Sequence, residues 1–279
     1  MEVWESILYG LVGGISELLP ISFSGHIAVV REIFGMSALN EAGGYYIRLM
    51  ICLGVILAIR LAFSEEVREL GNAVGTITGL KRVRRRDRPN AARCRSVMLG
   101  LFALIPMLLS LIFTARAERI SRLPYIALFF LLNGTLIFFA CRRAAGKKQE
   151  KQVLLSDMLM IGFARMLSVF PGLSSVGSSV FVGNLRGLSA SYNLRLTYLL
   201  SMTFEICALV YHLLRAVIYG SFHAGLWLPM LLTLIFSTVT GYLAIQYVRY
   251  LLNHGKFHFF AYYCWDAAAV VLVLSLINL

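Results

Sequence analysis

Charge is what this sequence has least of. Asp, Glu, Lys and Arg together make up 14% of its 279 residues, where a soluble domain carries about a quarter. Proline is sparse, with six in all. Cysteines 52, 94, 141, 207 and 264 show no CxxC or metal-ligand spacing, so they read as small hydrophobes within a helix bundle. The P-loop pattern is missing, which sets a nucleotide aside. The N-terminus lacks a basic n-region and a small-residue cleavage site, so the first apolar segment is expected to stay in the mature protein.

What fills the space is hydrocarbon. The chain is 59% apolar with a mean hydropathy of +0.76. Six runs, at 47–63, 97–114, 125–141, 199–219, 226–248 and 259–279, match the length needed to cross roughly 30 Å of bilayer. A polytopic, all-α membrane protein is the expectation. The formal net charge of +12 does not point to nucleic acid, because no aromatic-studded groove accompanies it. It gathers in KRVRRRDRPNAARCR (81–95) and CRRAAGKKQEK (141–151), both between apolar runs, as cytoplasmic loops do.

Threading the spans with those loops inside leaves two segments that do not fit as single crossings. In 153–188, FPGLSSVGSS (170–179) interrupts an apolar stretch with proline, glycine and serine. In 3–34, an apolar arm meets Pro20, a Ser/Gly break and a second short arm. Reading both as re-entrant hairpins keeps every strongly basic loop on one side. The predicted architecture is therefore six transmembrane helices plus two re-entrant helical hairpins. It forms a single membrane domain of inverted-topology repeats, approximately 1–141 and 153–279, joined by the basic cytoplasmic loop 142–152. LLPISFSG (18–25) and VFPGLSSVG (169–177) are faintly alike, as a duplication predicts.

Broken helices at membrane depth must line a wet cavity or be enclosed by protein, and in inverted repeats they build the binding site. Gly25, Gly172 and Gly177 permit close backbone approach, and freed N–H groups at half-helix ends suit an anion. Hydroxyls at Ser22, Ser24, Ser174 and Ser175 add donors, so a phosphate is the expected occupant. Glu17 and His26 bring proton chemistry, His26 as base, acid or phosphoryl acceptor. The plainer alternative is that Glu17 caps a broken helix and His26 satisfies a freed carbonyl. Glu205 is a further intramembrane carboxylate, with an arginine as its expected partner.

At these residues the sequence resembles the undecaprenyl-diphosphate phosphatase family, the bacitracin-resistance phosphatases. GGISELLPISFSGH stands where that family typically reads EGLTEFLPVSSTGH, and FPGLSSVG where it reads IPGTSRSG. ICLGVILAI (51–59) and FVGNLRGLSAS (181–191) are weaker matches to IQLGAILAV and GGLLLGLSR. The resemblance implies hydrolysis of the C55 isoprenoid diphosphate carrier to its monophosphate, in support of cell-wall synthesis and bacitracin resistance. It places the protein in the bacterial cytoplasmic membrane with a site open to the outer face. It makes Glu17 and His26 catalytic, and makes Ser22, Ser24, Gly25, Pro171, Gly172, Ser174, Ser175 and Gly177 substrate-binding positions. Mg²⁺ or Ca²⁺, with Glu17 as ligand, is the implied metal.

Three positions depart from the pattern. The motif's first glutamate falls on Gly13, its second paired serine on Phe23, and its loop arginine on Ser175. Serine cannot replace a bidentate guanidinium fork. Arg165, six residues before Pro171, and Arg48 have the reach to stand in, although Arg48 can equally snorkel to an interface. Arg165 is counted among the substrate-binding residues. Two readings compete: a divergent polyprenyl-diphosphate phosphatase, and a homologue that binds or translocates a polyprenyl phosphate without cutting it. The expected partners are that lipid and the bilayer, with no nucleic acid. Oligomeric state is left open, a homodimer included.

Overall fold

The structure, a computed structural model, describes residues 2–36, 39, 43–79, 89–117, 122–143, 146–220, 222 and 224–277, with the side chains of 114–117 left aside. Most of the first basic cluster, 81–88, lies outside the described residues. Among the described residues the chain is all-helical, with eleven α-helices and a few short 3₁₀ turns. These are α1 Val3–Leu18, α2 Phe23–Phe34, α3 Gly44–Ala62, α4 Ser64–Thr78, α5 Ala91–Ala117 and α6 Leu123–Arg142, then α7 Leu155–Met166, α8 Ser175–Leu185, α9 Ala190–Tyr219, α10 Trp227–Asn253 and α11 Phe259–Ile277.

Six of them, α3, α5, α6, α9, α10 and α11, are long and apolar enough to cross a membrane, one for each run read from the sequence. This is a multi-pass membrane protein. Their outward faces carry exposed Leu, Ile, Val and Phe, such as Ile112, Val217 and Leu276, as a lipid-facing surface requires. Four of the five shorter helices, α1, α2, α7 and α8, form two packed pairs, each broken at a proline.

Packing relates the two halves. α1 lies along α10, and α7 lies along α5. α3 packs on α9, and α6 on α11. The α1–α10 seam is close because small residues face it. A Cβ at Gly14 would stand 2.4 Å from the Ser237 carbonyl oxygen, and one at Gly10 2.9 Å from that of Thr233. Such small-residue stripes give helices in lipid their van der Waals contact. Thr233 Oγ1 donates to the Ser6 carbonyl at 3.0 Å across the same seam.

α4 is the element that hydropathy did not reveal. It follows α3 after a single residue, and its Glu65 and Arg68 pair on an exposed face. Val67 and Leu70 pack against the core, and Ala73 is buried. An amphipathic helix of this kind has too little net hydrophobicity to register as a span. Near it, Arg93 pairs with Glu69 at 2.6 Å and with Glu150 at 3.2 Å. Arg95 donates to the Lys151 carbonyl at 3.2 Å. The described ends of the two basic segments thus meet at one end of the molecule. Asp157 sits beneath them, buried, between Arg186 and Lys148.

Candidate functional site

Each half places a serine as N-cap at its break. Ser22 Oγ accepts the Gly25 N–H at 3.4 Å, starting α2. Ser174 Oγ accepts the Gly177 N–H at 3.1 Å, starting α8. The S-x-x-G spacing is the same in both because an N-cap oxygen reaches the N–H three residues on.

The two caps are also bonded to each other's segments. Gly172 N–H donates to Ser22 Oγ at 3.0 Å, and Ser174 Oγ donates to the Leu19 carbonyl at 3.4 Å. Asn133, buried on α6, spans both breaks: its Nδ2 donates to the Pro20 carbonyl at 2.9 Å and its Oδ1 accepts the Ser174 N–H at 3.0 Å. Tyr198 of α9 donates to the Leu18 carbonyl at 2.9 Å. Backbone groups freed where α1 ends and α8 begins are thereby satisfied inside the protein, as lipid depth demands.

Two backbone conformations make the approach possible. Gly172 has φ +115, and a Cβ there would stand 2.6 Å from Phe129 Cβ. Ser22, with φ 78, is the non-glycine residue among those described that takes a positive φ. Such backbone costs on the order of 1–3 kcal/mol and persists only where surrounding bonds over-determine it. The result brings the N-termini of α2 and α8 together: a Cβ on Gly25 would lie 2.9 Å from the Gly172 nitrogen. Pro171 is buried at this junction, while Ser24 and Ser175, in the first turns of α2 and α8, are half-buried.

His26 lies one turn into α2. Its Nδ1 is 2.7 Å from the Ser22 carbonyl and its Nε2 2.8 Å from the Tyr263 hydroxyl. A carbonyl only accepts, so Nδ1 carries the proton and the neutral ring presents its lone pair at Nε2, toward Tyr263. Tyr263 stacks on the imidazole at 5.7 Å, and Phe130 meets it edge-on at 5.0 Å. The contact with a freed carbonyl that the plainer reading named is therefore present, and it also orients the ring.

Glu17 occupies the last turn of α1, where the free groups are carbonyls rather than N–H donors. A carboxylate has nothing to cap there, and the helix dipole opposes it. Its countercharge is Arg48 of α3, whose Nη1 is 3.7 Å from Glu17 Oε2. Arg48 does not snorkel away: its Cζ lies 4.0 Å over the ring of Phe23, the first residue of α2. Glu205 of α9 is buried with its Oε2 unpartnered, and α9 packs on α3. Among the described residues no arginine stands within ion-pairing distance of Glu205. The charged cluster is therefore the Glu17–Arg48 pair, drawn from α1 and α3.

Arg165 is engaged elsewhere. Its Nη1 donates to Ser179 Oγ at 2.9 Å and its Nη2 to Ser201 Oγ at 2.8 Å, with longer contacts to the Ser175 and Thr197 carbonyls. It braces α7 against α8 and α9. Sequence reading overlooked Asn133, Tyr198 and Tyr263. Asn133 left a signal, being a lone amide in a very apolar span. The tyrosines left none, since aromatics near span ends read as an interfacial belt.

Residues 6–270 match the family described as bacitracin resistance protein BacA. An undecaprenyl-diphosphatase of Halothermothrix orenii is 26% identical over 277 residues, covering 99% of each chain. One from Methanobrevibacter smithii is 25% identical over 286 residues, covering 100% of each. One from Oceanobacillus iheyensis is 24% identical over 279 residues, covering 97% of each. The family match takes in both breaks, five of the six long helices and part of the sixth, and the protein belongs to the BacA family as a divergent member.

Proposed function

We propose that this protein hydrolyses undecaprenyl diphosphate to the monophosphate carrier and inorganic phosphate. The observation that carries this reading is the junction of the breaks. Two half-helix N-termini, tied through Ser22 and Gly172, meet beside Glu17, Arg48 and His26. Paired helix N-termini favour an anion, and buried dipoles hold it without reorganising. The printed names of relatives spanning the whole chain support the same chemistry.

In this reading the diphosphate enters between the breaks from the outer face of the bacterial cytoplasmic membrane. The hairpins α1–α2 and α7–α8 are re-entrant, and repeats 1–141 and 153–279 are related by inversion. The paired packing of α1 on α10 and α7 on α5 supports that relation. First-turn amides of α2 and α8, with Ser22, Ser24, Gly25 and the 171–177 loop, cradle the phosphates. Glu17 orients the attacking water. His26 takes its proton at Nε2 once substrate displaces the Tyr263 hydroxyl, or receives the phosphoryl group there. The bond from the terminal phosphorus to the bridging oxygen breaks, leaving lipid monophosphate.

A resident metal fits these residues poorly. Among the described residues, no three His, Cys, Asp or Glu stand together, and Glu17 already faces an arginine. Mg²⁺ or Ca²⁺ would come as the diphosphate's own counter-ion, with Glu17 within its reach.

The departures at Gly13, Phe23 and Ser175 favour one other reading, a homologue that binds or moves the lipid phosphate without cleaving it. Phosphate release from C55 isoprenoid diphosphate by the purified protein in detergent, beside Glu17→Ala and His26→Ala, separates the two. Turnover lost in both variants supports the phosphatase. Folded protein that binds the lipid and releases no phosphate supports the binder.

A further inference from the structure

Two arginines have the reach to hold a phosphate, and their surroundings differ. Arg165 is 4% exposed, and its terminal nitrogens are committed to Ser179, Ser201 and two carbonyls. Drawing it toward a ligand would release α7 from α8 and α9. Arg48 is placed the other way. Its side chain and that of Glu17 keep 16% and 14% of their surface open, so both reach the accessible side of the cluster. Its Nη1 is buried and has no hydrogen-bond partner, because 3.7 Å to Glu17 is beyond hydrogen-bonding distance.

Phe23 decides where that nitrogen lies. The guanidinium stacks 4.0 Å over the ring, and Phe23 opens α2 immediately after the Ser22 cap. A cation is thereby held beside a helix N-terminus, which is itself a positive end. Glu205, on α9, which packs on α3, is 1% exposed, with its Oε2 buried and unpartnered.

The geometry points to Arg48 as the cation that grips the terminal phosphate, stacked in place by Phe23, with the buried carboxylate of Glu205 on the neighbouring α9 a positioning residue that opposes the anion's charge. This deepens the phosphatase reading and rests on it for the identity of the anion. The entering phosphate supplies the partner that the buried Nη1 lacks and draws Arg48 away from Glu17, which is then free for water. Glu205 never touches substrate. It keeps the buried charge balanced while the site is empty and weakens the hold on the product anion.

The test is calorimetric binding of farnesyl diphosphate in detergent micelles, paired with phosphate release from C55 isoprenoid diphosphate. Arg48→Met is expected to lower kcat/KM by about 10²–10³-fold, as loss of one preorganised donor to a developing charge does, and to weaken diphosphate binding. Arg48→Lys keeps the charge without the planar fork and should fall between. Arg60→Gln, an exposed cation at the far end of α3, should match wild type. Glu205→Gln should tighten binding while kcat falls, a split that mere loosening of the fold does not produce.

Wild-type affinity and turnover in Arg48→Met would overturn the assignment. If Arg48→Met does not fold, wild-type affinity in Arg48→Lys does the same. Unchanged binding in Glu205→Gln removes that residue from the proposal. If wild type releases no phosphate, the hydrolytic reading fails, and the binding arm alone still judges Arg48.

Discussion

Ser22 and Gly172 are joined by a 3.0 Å hydrogen bond across 150 positions of chain. The Ser22 hydroxyl oxygen serves two helices at once, capping α2 through the Gly25 N–H and receiving the Gly172 N–H from the opposite break. Because Ser22 also holds a positive φ, the junction stands only while both halves are seated.

Gly172→Ala places a methyl against Phe129 and the Ile126 carbonyl on a backbone that side chains rarely adopt. It should destabilise the protein by about 1–3 kcal/mol from backbone strain, with the overlap adding to that. Thermal unfolding in detergent checks it. Activity should fall with stability, since the N-terminus of α8 moves with this residue.

Asn133→Leu fills the space but strands the Pro20 carbonyl and the Ser174 N–H. Leaving buried polar groups unpaired costs about 1–3 kcal/mol each. The expected result is a lowered melting temperature and faster amide exchange at both breaks together. Exchange confined to one break would show that Asn133 does not couple them.

Tyr263→Phe keeps the stacking ring over His26 and removes the hydroxyl at Nε2. Loss of one neutral hydrogen bond corresponds to about 0.5–1.5 kcal/mol. The variant should therefore stay folded, with phosphate release changed by about tenfold or less. A much larger loss would give Tyr263 a direct part in proton transfer.

Asp157 yields a pH prediction. Burial alone would raise its carboxyl, but the Leu154 N–H, Arg186 and Lys148 together hold it below its ordinary value of 3.8. A group lowered in the folded state stabilises above its unfolded pKa and loses that contribution as pH falls through the folded value. Asp157→Asn should thus melt below wild type near neutral pH, and the two curves should converge in acid. Melting curves across that range decide it.

Much of the plan was legible from the chain itself. Each long apolar run became a helix able to span, because hydrocarbon thickness sets length and lipid forbids unpaired backbone. Pro20 and Pro171 marked the breaks, since proline cannot continue a helix interior. α4 escaped because one apolar stripe on a charged helix leaves no hydropathy signal. Glu17, His26 and the two serines were found as costly residues in an oily context.

What those residues touch was decided by tertiary structure alone. Sequence left Arg48 between the interface and the pocket, and Arg165 a candidate to contact substrate. Packing laid Arg48 over Phe23 beside Glu17 and bound Arg165 to Ser179 and Ser201. A side chain's reach is a property of its type, but its direction is set by the helix it stands on and by what packs against that helix. Composition and spacing therefore determine that this protein spans a membrane, where it breaks, and which polar groups must be enclosed. Only the meeting of the two halves determines which of those groups face each other, since their partners lie far apart in the chain, 237 positions for His26 and Tyr263.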